Sequence, residues 1–160
     1  MLLQTPRVIK NWKHPSFFTM PKGEYIDNRF GRRYISHEDL PFRGEAFAAF
    51  GITKTAYEPR FKNFIGNHYL DGAATHIHQD GAPEGYVHTR CNWMVKKPSS
   101  GGDPILDGVV VPVEEGDLWL CLSSREQHGS TPVSGGERLI CSFGALVPIA
   151  ALSHIIKDQP

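Results

Sequence analysis

The chain of 160 residues has the length of one domain, and at 40% hydrophobic and 21% charged residues its composition excludes wholesale disorder. A formal net charge of +0 and a pI of about 7.1 exclude a protein that grips nucleic acid by bulk electrostatics. No apolar run approaches the roughly 20 residues of a membrane span, and the first ten residues do not read as a signal peptide. The charge is unevenly placed: residues 1–63 hold 11 Lys/Arg against 6 Asp/Glu, and the remainder holds 6 against 11. A solvated basic face is the expected outcome. Cys91, Cys121 and Cys141 each sit in an apolar, strand-like run, which predicts reduced core thiols in a cytoplasmic protein. Residues 1–160 read as a single domain, with an N-terminal extension over 1–63 and a motif-bearing core over 64–147.

In chain order, Tyr25 to Ile35 predicts a hairpin and Gly44 to Phe50 a short helix. Phe64 to Leu70 predicts a strand, Asp71-Gly72 a turn, and Ala74 to Asp80 a second strand. Gly81 to Gly85 reads as a lid. Arg90 to Lys97 alternates, with Cys91, Trp93 and Val95 on one face and Arg90, Asn92 and Met94 on the other. Asp107-Gly108 supplies the positive φ of a tight hairpin between Pro104–Leu106 and 109–113. Asp117 to Leu122 is apolar enough to be buried on both faces. Arg138 to Val147 forms the last strand, after a turn at Ser134-Gly135-Gly136. Short strands at this spacing with Gly-rich turns predict an all-β fold with minor α, a sandwich or jelly roll.

Eight histidines bring two His-x-Asp pairs, His37/Asp39 and His78/Asp80. His37 is followed by Leu40-Pro41 without a strand pattern and reads as a loop or helix-capping residue. On a strand, residues i and i+2 share a face, so His78 and Asp80 can converge on one ion. A metal that takes two imidazoles and one carboxylate on one octahedral face needs a second His from another strand, and His128 follows the buried 117–122 run. Three open positions then remain for an organic ligand and dioxygen. A dicarboxylate there requires its far end to be paired, and Arg138, sharing inward parity with Ile140 and Ser142, offers the planar fork.

Residues 69–80 resemble a segment of the prolyl 4-hydroxylase-like 2-oxoglutarate/Fe(II)-dependent oxygenases, matching at Tyr69, Gly72, His78 and Asp80. Residues 128–138 look like the distal block of that family, with His128, Pro132-Val133 and Arg138. Gly101-Gly102 and Gly116-Asp117 fall where the family has its Gly-Gly and Gly-Asp turns. The resemblance spans roughly 64–147 and implies a double-stranded β-helix. It further implies Fe(II) on His78, Asp80 and His128, with no catalytic residue beyond these ligands. Arg138 would hold the far carboxylate of 2-oxoglutarate, and Tyr69 would hydrogen-bond to it. Such enzymes consume dioxygen and 2-oxoglutarate, release succinate and CO2, and hydroxylate an unactivated C–H. The expected substrate is prolyl/peptidyl or amino-acid-like, approached by Arg90, Asn92, Met94 and His76. Nucleic acid and membrane are not expected partners, and the sequence is silent on oligomeric state.

Three departures stand out. Thr75 replaces an aromatic residue, Gly144 replaces a closing Trp, and Ile140 replaces a hydroxyl residue for which Ser142 is the expected substitute. His76 with His78 makes a His-x-His pair like that of cupins, but Ala82 and Pro83 stand where a cupin needs Glu. A cupin-type metalloenzyme not using 2-oxoglutarate and a non-catalytic jelly-roll binding module are the alternatives. His14, His68, His88 and His154 read as structural or surface residues, with Tyr86 and His88 near the lid.

Overall fold

A computed structural model describes residues 7–19, 24–28, 31–36, 42–56 and 64–156. His37 and Asp39 lie outside them. The strands in chain order are β1 (Val8–Ile9), β2 (Glu24–Asn28), β3 (Gly31–Ser36), β4 (Phe64–Tyr69), β5 (Tyr86–Lys96) and β6 (Ser100–Gly101). They continue as β7 (Pro104–Leu106), β8 (Val109–Val110), β9 (Leu118–Cys121), β10 (His128–Ser130), β11 (Val133–Ser134) and β12 (Arg138–Pro148). One α-helix among the described residues, α1 (Phe42–Ala48), overlaps the predicted Gly44 to Phe50 with both ends two residues earlier. The expected hairpin forms as β2–β3, and Asp107 and Gly108 both take positive φ between β7 and β8.

Seven strands make the large sheet in the order β1-β9-β5-β12-β4-β3-β2, faced by the smaller β10-β7-β8 and β11-β6 sheets. This is the double-stranded β-helix. The two long strands, β5 and β12, pair antiparallel at its centre. One side of the large sheet buries Cys91, Trp93, Leu118, Leu120, Cys141, Phe143 and Ala145 against Phe47, Phe50 and Ile52 of the α1 region. That apolar face, opposite the pocket, is the principal core. The three cysteines are free and buried, and burial pushes the Cys121 thiol up to about 12.

Two of the N-terminal cations pair with buried acidic groups of the second half of the chain. Arg7 forks onto Glu126 with two contacts of 2.6 Å, and Lys10 pairs with the buried Asp117. Burial opposes ionisation of Asp117, but Lys10 and the backbone N–H groups of Asn11 and Glu114 outweigh it and hold the carboxyl below its usual range. Arg7 and Lys10 thus strap the start of the chain to acidic core positions, while Arg32 and Arg33 are exposed, as a solvated face predicts.

The segment 74–80 is the main departure. It does not form a strand; a single bridge joins His78 to His128. Ser130 N–H donates to Thr75 O, while His78 and His128 exchange both backbone bonds. Three steps from 75 to 78 therefore oppose two from 130 to 128. One extra residue on the first segment makes a bulge and ends the ladder. No helix among the described residues is long and apolar enough to cross a membrane.

Candidate metal centre and pocket

His78, Asp80 and His128 come together, with one ligand atom of each lying within 4.8 Å of the others. His78 Nε2 is 3.6 Å from Asp80 Oδ1, and His128 Nε2 is 3.9 Å from Asp80 Oδ2. Ligands about 2.1 Å from one ion would be about 3.0 Å apart in adjacent octahedral positions and about 4.2 Å apart across it. Small side-chain adjustments therefore suffice to close the set on an ion.

Ring orientation is the stronger test of fit. His78 Nδ1 lies 2.8 Å from the carbonyl of His76, and His128 Nδ1 lies 3.0 Å from that of Glu126. A carbonyl only accepts, so each Nδ1 carries the proton and each Nε2 lone pair faces Asp80. Burial also pushes His128 below the ordinary imidazole value, favouring the neutral, ligating form. The donor set, two neutral imidazoles and one carboxylate with open positions, suits a non-haem Fe(II). His76 is not in the cluster. Its ring lies 4.7 Å from that of His78, on the pocket side.

The close approach of the two histidines depends on Gly129. A Cβ there would stand 2.8 Å from Thr75 O and 3.1 Å from His76 O, so the glycine is what lets β10 meet the bulge. Glu126, whose carbonyl orients His128, is itself fixed by Arg7 and by the N–H of Leu122.

Of the readings offered for His88, structural, surface or lid, the structure gives the structural one. His88 is 0% exposed, and its Nδ1 lies 3.2 Å from Asp80 Oδ2. Burial lowers the pKa of His88, and the contact with Asp80 opposes this. Burial raises that of Asp80, but the contact with His88, together with the charge of Arg90, brings it below the usual carboxylate range. Spacing alone gave no signal for this role, because ten residues and a turn separate His88 from His78. None of Gly81–Gly85 lines the pocket.

The three candidate ligands border a pocket of about 560 Å³ that also receives Arg33, Asn67, Tyr69, Arg90, Asn92 and Arg138. Arg138 is 3% exposed, and burial pushes its pKa down to about 10. Its Nη1 donates to Gly102 O at 3.0 Å, its Nη2 lies 3.4 Å from Thr75 Oγ1, and the guanidinium sits 4.8 Å from the Tyr69 ring centre. Its Nε has no partner among the described residues. Thr75, noted only as a departure, supplies the hydroxyl beside Arg138. Ser142, the expected substitute, instead accepts from Arg90 Nη1 at 3.0 Å. Met94 is also corrected: it continues the row of Arg90 and Asn92, opposite Ile140, yet it does not line the pocket. There it is 0% exposed, packed with Val113 and Trp119 away from the cavity.

No family model and no curated protein matches the sequence. Among solved structures, the chain is similar to the viral collagen prolyl hydroxylase of Paramecium Bursaria Chlorella virus-1, solved as its 2OG complex. The two are 17% identical with a TM-score of 0.50, over 66% of this chain and 68% of that one. A 2OG-Fe(II) oxygenase family protein from Burkholderia pseudomallei gives 17% identity and a TM-score of 0.44, over 52% and 42%. KdgF from Halomonas sp. gives 14% and 0.46, over 76% and 86%. The likeness to the viral hydroxylase is one of fold, and it identifies the architecture as the double-stranded β-helix.

Proposed function

We propose that this chain is an Fe(II)- and 2-oxoglutarate-dependent dioxygenase that hydroxylates an unactivated C–H of a small amino-acid-like or prolyl/peptidyl substrate. The observation that carries the reading is the pair of Nδ1 contacts to carbonyls, which aim two Nε2 lone pairs and one carboxylate at a common point beside a buried arginine. When bound, Fe(II) supplies activation of dioxygen coupled to conversion of 2-oxoglutarate into succinate and CO2, with oxygen delivered to the substrate.

The residues then divide the work. His78, Asp80 and His128 would hold the ion on one face. Arg138 would pair the far carboxylate of 2-oxoglutarate, with its Nε and Nη2 turned to the ligand. The Tyr69 hydroxyl, 3.4 Å from Thr75 Oγ1, would donate to the same carboxylate. His88 keeps Asp80 ionised and oriented. The three buried free thiols support a reducing, cytoplasmic setting. His76, outside the metal set, favours this reading over a cupin-type three-imidazole site.

The test is anaerobic. Adding 2-oxoglutarate to the Fe(II)-loaded protein is expected to produce a visible absorbance band, lost in His78→Ala, Asp80→Ala and His128→Ala. Aerobic protein is expected to release succinate. A band that persists in the three variants would overturn the ligand assignment. Absence of both band and succinate in the wild type would overturn the reading itself.

A further inference from the structure

The inner face of the large sheet is a ladder of cross-strand rows. Arg138 of β12 pairs with Tyr69, Ser142 with Asn92, and Gly144 with Arg90. On the flank, Arg33 of β3 pairs with Asn67 of β4, which pairs in turn with Ile140. Arginines therefore stand at both ends of one wall. Arg138 keeps to its own end through Gly102 and Thr75, and the Arg90 guanidinium is held at Ser142. Four residues of strand at about 3.3 Å each separate the Arg138 and Ser142 rows by about 13 Å. A five-carbon diacid built from C–C bonds of about 1.5 Å spans only about 7 Å between its end oxygens. The two rows thus stand about twice the length of one such molecule apart.

The second pole has Asp80 as the acidic group that faces Arg90. Arg33, Arg90 and Arg138 line the pocket, and Asp80 is the one carboxylate lining it among the described residues. A divalent ion on Asp80 would leave that carboxylate committed. A bound 2-oxoglutarate would answer Arg138. Arg90 would retain a neutral hydroxyl partner, and Arg33, near enough to repel it, forms no ion pair among the described residues. Two like charges converging on a cavity with amide donors from Asn67 and Asn92 in the adjoining rows make a receptor for an oxyanion.

We propose that Arg90 and Arg33 form a second oxyanion site, separate from the Arg138 pole, which takes the carboxylate or phosphate of a small anionic substrate. This rests on the reading of the centre as a 2-oxoglutarate-dependent oxygenase. It also narrows that reading: a free amino acid or other small acid satisfies the second pole, and an internal residue of a peptide, with both ends amidated, does not.

The test uses matched probes against the full chain, metal-free and as its anaerobic Fe(II)–2-oxoglutarate complex. N-acetylglycine is compared with N-acetylglycinamide, and glycerol 3-phosphate with glycerol, by calorimetric titration. At least one anion is expected to bind about tenfold or more tightly than its neutral partner. The preferred pair distinguishes carboxylate from phosphate. Arg90→Gln and, at the exposed β3 position, Arg33→Gln are expected to abolish the preference. Equal binding of anion and neutral partner, no binding of either anion at tens of millimolar, or retention of the preference in both variants would overturn the proposal. If the wild type forms no Fe(II)–2-oxoglutarate band, the oxygenase reading fails on that measurement, and titration of the metal-free protein still decides whether the anion site exists.

Discussion

Replacing Arg138 with Gln removes a buried guanidinium and leaves a polar side chain at the start of β12. In the ligand-free fold that charge is expensive. Burial lowers its pKa from 12.5 to about 10, which at about 1.36 kcal/mol per unit is a burden of about 3 kcal/mol. That figure is already net of Tyr69 and Asp103, and opposing it is the bond to Gly102 O, about 1.5–3 kcal/mol for a charged donor. These nearly cancel, so thermal or denaturant unfolding of ligand-free Arg138→Gln is expected to fall within about 1 kcal/mol of the wild type. Binding tells a different story. A buried carboxylate that loses its partner is penalised by about 3–5 kcal/mol, so Kd for 2-oxoglutarate in the anaerobic absorbance titration is expected to rise a hundredfold to several thousandfold, with iron affinity nearly unchanged. Loss of several kcal/mol without ligand would show the guanidinium to be a structural bond-former and would refute the argument. A Kd change below tenfold, or an equal loss of iron, would refute it as well.

Three further outcomes follow from the supports of the centre. His88→Leu removes the contact to Asp80 and is expected to weaken Fe(II) binding about 10- to 100-fold, with partial recovery in His88→Gln, measured by competition with a chelating dye. Arg7→Ala leaves Glu126, 1% exposed, without its cationic partner. It should destabilise the chain by about 3–5 kcal/mol in denaturant unfolding, with Arg7/Glu126 double replacement by Met and Gln recovering part of the loss. Gly129→Ala drives a methyl against the Thr75 and His76 carbonyls, and is expected to destabilise by about 1–3 kcal/mol and to separate His78 from His128, so the anaerobic absorbance band weakens.

Much of the scaffold was legible because its signals are local. Alternation marked β5, the Asp107-Gly108 pair marked a hairpin, and the continuous apolar run at 117–122 marked a strand buried on both faces. The segment 74–80 misled because alternation records which side chains point together and says nothing of whether a partner strand keeps step. Here one residue too many lies between the bonds at Thr75 and His78, and the ladder stops. The expected hydroxyl substitute failed for a similar reason. Parity placed Ser142 on the inner face correctly, but its hydroxyl is claimed by Arg90, two residues from the Asn92 that Ser142 pairs with. Parity fixes a face; it does not fix a partner.

His78, Asp80 and His128 come together without the strand that was expected to align them, and the reason is physical. His78 and His128 are each other's backbone partners, so a single bridge sets both Cα–Cβ bonds without any flanking ladder. Each ring is then turned by a carbonyl two residues upstream in its own chain, a local contact that the bulge at His76 and the Arg7-clamped loop at Glu126 present independently. His88 and Arg7 escaped sequence reasoning because their partners, Asp80 and Glu126, are 8 and 119 residues away along paths that only the folded topology closes. Residues that touch a candidate ion come in recognisable spacings because one ion must satisfy all of them. Residues that hold those ligands in place answer to no common spacing, and it is there that the N-terminal strap contributes to the centre.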